Sequence, residues 1–548
     1  MSARHLVIGL DGADVDVIDG LGEAALPALV ALRRRGAWAR LESVTPPATL
    51  PNWTTFLTGV DPGRHGVFDF TLREGYRVAF TAGTVRAAPT IAARLDAMGR
   101  RCACVGFPGT WPPERLAHGV FVSGWDSPVA FEADRSFVHP PSLHAELRAR
   151  FGPLRFDDVD ELAAEREGWH LRLPGRLAER IAHKTEVARW LLDRDAWDLF
   201  AFYFGESDTA AHHLWAFHDP ASPRHRPGAP DALRTVYRAL DRAVAELVAA
   251  AGEGTELTIV SDHGSGGAGT TVLYLNRLLE RLGFAALADR GGRALAVVKD
   301  RALGALPPRA RQAAFTLAGR ALPGLVESRA RFGGLDFART RAFSDELNYF
   351  PAIHFNVRGR EPEGIVAPAD VPALTEALRA ALGAVRDPFT GAPVFRRVLS
   401  RDELYDGPHV ARAPDLVLEL HLDRGYSYNL MPSGGAPAGT GPWRRLAPEE
   451  HLGKKGRSLP GSHRPRGLLV AAGPRVRPVG EVRARMADAT ATLLARMGVA
   501  PAPEMAGRVL REAVARGGDA PLASAPQPAL AEGAPAQLEA RLRALGYL

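Results

Sequence analysis

The stretch TPPATLPNWTTFLTGVDPGRH, residues 45–65, turns from extended to helical at Thr49. Pro51 suits the first helical position, because its missing N–H would be unpaired there anyway. Asn52, Trp53, Phe56 and Leu57 then continue with helical spacing. A hydroxyl at Thr49 therefore stands at the positive end of a helix, beside N–H groups able to receive an anion. Such a hydroxyl is a weak nucleophile near neutral pH and needs a base or a metal to shed its proton. With the strand pattern at Trp38–Glu42 just before it, the stretch is one strand-to-helix step of a longer alternation.

Working outward, His5–Leu10 (HLVIGL) reads as a buried parallel strand that ends at Asp11-Gly12. Its carboxylate falls at the C-terminal edge of the sheet, where open α/β folds place their ligands. Residues Glu23–Arg35 and 89–98 have helical period, and 102–107 and 119–124 read as strands. Residues 126–195 are expected to be mostly helical, an insertion over the sheet edge. Asp198–Phe204 is a strand that delivers Glu206-Ser207-Asp208, then Ala211-His212-His213. After a long helix over 230–251, the strand Leu257–Val260 ends in Ser261-Asp262-His263-Gly264, followed by a glycine-rich loop at Ser265–Gly269.

A second helical insertion or cap is expected over about 285–335. The sheet pattern resumes at Ile353–Val357, Val394–Val398 and Asp415–Glu419, and again at Gly467–Ala472 after Gly461-Ser462-His463. A helix covers 481–497. The alternation predicts an α/β fold with a mostly parallel, doubly wound sheet and helical insertions. One catalytic domain fills 1–515, and an Ala/Pro-rich linker with a short helix fills 516–548.

The chain has 548 residues, 46% of them hydrophobic, enough for a large core. Lys and Arg number 68 against 62 for Asp and Glu, a net charge of +6. That surplus is small for the length and nearly all arginine, so genome composition explains it better than a nucleic-acid footprint does. Cys102 and Cys104 are too few for a disulfide scaffold or a four-thiolate zinc site. Buried thiols, no signal-peptide pattern and no membrane-length apolar run predict a cytoplasmic protein.

Acidic and imidazole residues recur at predicted strand ends: Asp11, Asp208 with His212, Asp262 with His263, and His463. Asp208 and His212 are four apart, so a helix entered there would put both on one face, where they can chelate one ion. Each pattern alone is common in proteins. Together with Thr49 they form an oxygen and nitrogen donor set that suits two divalent cations such as Zn²⁺ or Mn²⁺. Two such ions about 3.5–4 Å apart can ionise a hydroxyl and stabilise the leaving oxygen in displacement at phosphorus.

At this point the chain resembles the alkaline phosphatase superfamily, and most of all its type I phosphodiesterase/nucleotide pyrophosphatase branch with the bacterial phosphohydrolase/phosphomutase-like proteins beside it. The resemblance is carried by LVIGLDG at 6–12, TLPNW…LTG…PGRHGV at 49–67, ESDTAAH at 206–212, VSDHG at 260–264 and GSHRPRG at 461–467. It implies a three-layer α/β/α sandwich and a small phosphorylated substrate. It implies one metal on Asp208, His212 and His463, and a second on Asp11, Asp262 and His263 with Thr49. It further implies attack by Thr49 on phosphorus, giving a phosphothreonine that water hydrolyses.

Phe70 stands where nucleotide pyrophosphatases carry a phosphate-holding Asn, so Arg73 and Asn52 are the expected substrate contacts instead. Sulfatases require Cys or Ser in a C/S-x-P-x-R context, which Thr49-Leu50-Pro51-Asn52-Trp53 does not provide. Phosphomonoesterase, phosphomutase and phosphotransferase outcomes at the same site stay open. So does a non-catalytic metal-binding or interaction protein on the same fold, although a decayed site would be expected to lose at least one ligand.

Overall fold

The computed structural model describes residues 3–81, 83–124, 134–153, 168–287, 332, 334–346, 351–437, 439–453, 458–514 and 520–523. The apolar run near the N-terminus lies in β1 (Ala3–Leu10), with Leu6, Val7, Ile8 and Leu10 fully buried. Burial on both faces is what a strand inside a parallel sheet requires. From there the chain forms α1 (Val15–Leu21), α2 (Pro27–Arg34), β2 (Ala37–Glu42), α3 (Thr49–Thr58) and α4 (Pro62–His65). A hairpin of β3 (Thr71–Glu74) and β4 (Arg77–Phe80) precedes α5 (Ile91–Asp96), β5 (Cys102–Val105), β6 (Val120–Val122) and β7 (Val138–His139). Next come α6 (Pro141–Phe151), α7 (Trp169–Asp193), β8 (Trp197–Phe204), α8 (Glu206–His218) and α9 (Ala232–Ala251). Then follow β9 (Glu256–Val260), β10 (Gly264–Leu273) and α10 (Leu275–Arg281).

A smaller lobe contains β11 (Ala342–Phe343), β12 (Ala352–Phe355), the helix Val371–Gly383, β13 (Phe395–Ser400), β14 (Leu416–Leu420), β15 (Ser427–Leu430) and β16 (Trp443–Arg445). The chain returns through β17 (Gly461–Arg464), β18 (Arg466–Ala472), β19 (Gly480–Glu481) and the helix Met486–Arg496.

The central sheet has the order β19-β2-β18-β9-β1-β8-β5-β6-β7. Strands β9, β1, β8, β5 and β6 are parallel, β18 runs antiparallel between β9 and β2, and β7 closes the far edge antiparallel to β6. Helices α2, α7, α8 and α9 pack as one group, and α3, α5 and Met486–Arg496 as another. The layered, mostly parallel α/β/α expectation is met. Because β18 is antiparallel, its beginning lies at the same edge as the ends of β1, β8 and β9. That geometry brings His463 to the residues that follow those strands.

Several local expectations change. The glycine-rich run after His263 is strand β10, paired antiparallel with β17, rather than a loop. A Cβ on Gly266 would lie 2.4 Å from Arg464 Nε, and one on Gly267 2.7 Å from Tyr426 Cδ1, so glycine admits these side chains against the strand. The strands read at 353–357, 394–398 and 415–419 do not extend the central sheet. They supply β12, β13 and β14 of a separate sheet, β11-β12-β14-β13, over its own core of Phe343, Ile353, Phe355, Leu378 and Leu416. Apolar strands look alike whichever sheet accepts them.

Of 126–195, the described parts are largely α6 and α7, and α7 lends Leu173, Leu177, Ile181 and Leu191 to the main core. Nearly all of the expected 285–335 insertion lies outside the described residues, as does most of 516–548. Within the latter, Ala520–Pro521 pair with Val499–Ala500. Among the described residues, no helix is long and apolar enough to cross a membrane.

Candidate active site

Thr49 is the first residue of α3, and the N-cap position is Ala48, which has no side chain to cap the helix. The first-turn N–H groups, which no helix satisfies internally, are left without that competitor. Pro51 sits third in the helix rather than first, still within the turn where its missing N–H costs nothing. Thr49 Oγ1 lies 3.5 Å from His263 Nε2.

Asp11 leaves the end of β1 with Oδ2 accepting hydrogen bonds from Trp53 Nε1 at 2.8 Å and Tyr203 OH at 2.6 Å. Its Oδ1 is 3.4 Å from His263 Nε2. Gly12 follows with φ +62°, and a Cβ there would approach Asp208 Cα to 3.1 Å, so glycine serves both the turn and the close passage of α8. The Gly12 N–H donates to Asp262 Oδ1 at 3.2 Å. Asp262 Oδ2, 3.4 Å from His263 Nε2, is buried and accepts no hydrogen bond among the described residues.

On the other side, Asp208 Oδ1 lies 3.2 Å from His212 Nε2, 3.4 Å from His463 Nε2 and 4.0 Å from His263 Nε2. All three rings turn Nδ1 to a backbone carbonyl: His212 to Gly461 O at 3.1 Å, His463 to Pro47 O at 2.8 Å and His263 to Gly264 O at 3.0 Å. A carbonyl only accepts, so each Nδ1 carries the proton and each neutral ring presents a bare Nε2 to the centre. The Nε2 atoms of His212 and His463 are 2.9 Å apart. Burial lowers the pKa of His263 far below the usual imidazole value, helped by His463, and burial likewise lowers that of His463. Burial pushes Asp262 well above the carboxylate range, reinforced by the charge of Asp11. For Asp208 burial acts the same way, but a second proton on His212 or His463, carried on Nε2, outweighs it and holds the carboxyl low.

Donor atoms of Asp208, His263 and His463 lie within 4.8 Å of one another, as do those of Asp11, Asp262 and His263. His263 joins the two groups, and His212 abuts the first. Inward lone pairs, carboxylate oxygens and an acceptor without a donor fit two adjacent divalent cations, by donor type as well as position. Asp11, Thr49, Asp208, His212, Asp262, His263 and His463, drawn from across the chain, thus meet at one edge of the sheet.

The two expected substrate contacts are used elsewhere. Asn52 is fully buried: its Oδ1 accepts from Val44 N at 2.8 Å, and its Nδ2 donates to Ala48 O at 2.8 Å and Pro46 O at 3.4 Å. It shapes the loop that carries Thr49 rather than facing a ligand. Arg73 makes a two-pronged pair with Glu361 at 2.8 and 2.9 Å, which ties the β3–β4 hairpin to the smaller lobe. Arg73 also donates to Gly75 O nearby, but its pair with Glu361 spans 288 residues.

Sequence reading missed Tyr203 and the serines that pin these turns. Ser207 Oγ donates to Asp11 O at 2.5 Å, Ser265 Oγ to Gly12 O at 2.7 Å, Ser261 Oγ to His263 O at 2.7 Å and Ser43 Oγ to Asp262 O at 2.7 Å. Ser207 and Ser261 carry one sequence signal, a place directly beside Asp208 and Asp262. Trp53 lies in the core and also orients Asp11. His213 is buried against Trp169 and His170, not in the cluster.

A family model described as type I phosphodiesterase/nucleotide pyrophosphatase matches residues 5–444. No curated protein matches the sequence. Phosphonoacetate hydrolase from Sinorhizobium meliloti 1021, solved with phosphonoformate, is similar in structure at a TM-score of 0.51 and 18% identity, over 89% of this chain and 94% of that one. Murine ectonucleotide pyrophosphatase/phosphodiesterase 5 aligns at a TM-score of 0.46 and 13% identity, over 90% of this chain and 95% of that one. At such identities the likeness to the hydrolase speaks for the fold alone.

Proposed function

The chain belongs to the type I phosphodiesterase/nucleotide pyrophosphatase family of the alkaline phosphatase superfamily, hydrolases that are in general metal-dependent, and we propose that it cleaves a phosphodiester or phosphoanhydride through a phosphothreonine on Thr49. The observation that carries this reading is the convergence of three tautomer-fixed imidazoles and three carboxylates beside a hydroxyl at an uncapped helix N-terminus. Asp208, His212 and His463 would hold one divalent cation, and Asp11, Asp262 and His263 the other, with zinc favoured by the imidazole share and manganese the alternative. When bound, the pair supplies Lewis-acid polarisation of phosphoryl oxygens and lowers the pKa of a hydroxyl.

Thr49 Oγ1 forms the new bond to phosphorus while the bond to the leaving oxygen breaks, and water then cleaves the phosphothreonine. Thr49 and Leu50 bring the opening N–H groups of α3, and the charge of the non-bridging oxygens suits that positive helix end. Gly461 O, Pro47 O and Gly264 O hold the three rings in the tautomer that points Nε2 inward. We place the protein in the cytoplasm, a compartment that suits the buried free thiols of Cys102 and Cys104.

The test is turnover of bis(4-nitrophenyl) phosphate against 4-nitrophenyl phosphate by purified protein, with Zn²⁺ and then Mn²⁺ added. The diester is expected to react faster. A clear preference for the monoester moves the assignment to a phosphomonoesterase or phosphotransferase at the same site, and no turnover of either with both metals removes it.

A further inference from the structure

Glu206 opens α8, two residues before Asp208, and is wholly buried. Two cations of α7 converge on its Oε1, Arg180 Nε at 2.6 Å and Lys184 Nζ at 2.8 Å. Arg180 and Lys184 are four apart and so share one face of α7. Burying three charges to tie two helices together is costly, and apolar side chains of the same volume would often do it as well or better. Attachment of α7 to α8 therefore leaves the cluster unexplained.

Its surroundings explain it better. Lys184 Nζ lies 5.9 Å from the ring centroid of Tyr203, whose hydroxyl donates to Asp11 Oδ2 at 2.6 Å. A cation near the ring draws electron density from the phenol and strengthens its O–H as a donor. Through Glu206 the same ammonium fixes the first turn of α8. There Ser207 Oγ donates to Asp11 O at 2.5 Å and Asp208 meets His212 at 3.2 Å. One buried amine thus reaches a carboxylate in each half of the cluster.

We propose that Lys184, with Arg180 and Glu206, is a positioning group that holds Asp11 and Asp208 in their ligating arrangement. This rests on the two-metal reading above. The experiment measures Zn²⁺ affinity by chelator competition, together with kcat and KM for bis(4-nitrophenyl) phosphate, in the full chain. Lys184→Met is expected to weaken zinc binding by about 10–100-fold and to lower kcat with little change in KM, and Lys184→Arg to restore most of both.

A folded Lys184→Met protein with unchanged zinc affinity and kcat overturns the proposal. Should that variant not fold, Lys184→Gln, which keeps a donor for Glu206 and removes the charge, decides the matter: about tenfold weaker zinc binding supports it, and unchanged binding overturns it. Wild-type protein that binds no zinc defeats the two-metal reading itself, an outcome separate from wild-type binding that Lys184→Met leaves intact.

Discussion

The Nε2 atoms of His212 and His463 face each other at 2.9 Å, while each ring gives its Nδ1 proton to a backbone carbonyl, Gly461 O or Pro47 O. Two lone pairs at that separation repel unless a proton or a cation lies between them. Metal should therefore stabilise the fold measurably. Zinc at a hundredfold excess over its dissociation constant is expected to add about 2.7 kcal/mol, read as a higher melting temperature that EDTA reverses. A melting temperature indifferent to both additions would falsify the metal assignment.

Thr49 offers its hydroxyl 3.5 Å from His263 Nε2, and that ring has its own anchor through Nδ1 on Gly264 O at 3.0 Å. Thr49→Ala is expected to keep full metal content and lower kcat by about a thousandfold or more, as loss of a nucleophile does. Metal analysis beside bis(4-nitrophenyl) phosphate turnover separates the two effects. Residual turnover near the wild-type rate would take the nucleophile role away from Thr49.

Asn52 links Val44 N, Pro46 O and Ala48 O, and the loop it closes also carries Pro47 O, the acceptor for His463. Asn52→Ala takes the acceptor from Val44 N, while Pro46 O and Ala48 O each lose one donor and keep the backbone N–H of Ala48 and Asn52, an expected loss of about 1–3 kcal/mol in urea denaturation. Zinc affinity should fall with it, because the His463 ring loses its anchor. A variant with weakened substrate binding but unaltered stability would restore Asn52 to the ligand-contact role.

His65 is fully buried, with Val67 N donating to Nδ1 at 3.1 Å and Thr55 Oγ1 3.0 Å from Nε2. Burial, helped by the charge of Arg86, depresses its pKa to about 3. Below about pH 6.5 the unfolded imidazole binds a proton that the folded one refuses. Stability thus falls as pH drops from about 6.5 toward 3, by up to about 1.4 kcal/mol per unit for this ring, and is flat with respect to it above 7. Denaturation midpoints between pH 7 and 4 should show a shallower slope in His65→Gln than in the wild type; equal slopes would mean His65 takes up its proton in the folded state.

The sheet and the clustered side chains were legible in the sequence because both rest on local signals. Buried parallel strands announce themselves as short apolar runs such as HLVIGL, and ligand-type residues directly after them fall at one edge whatever the order of the strands. What Asn52 and Arg73 do was not legible, since each is claimed by groups that only the folded chain supplies: the turned loop 44–48 in one case, Glu361 in the other. The separate sheet of β11–β14 was hidden for a related reason, an apolar strand carrying no mark of which neighbour it will pair with. Residue types at strand ends were enough to single out a candidate donor set. Which nitrogen of each histidine points inward, and that Tyr203 and Trp53 steer Asp11, were decided by tertiary structure, because hydrogen-bond partners distant in sequence set the direction of a side chain while local sequence sets only its place on the chain.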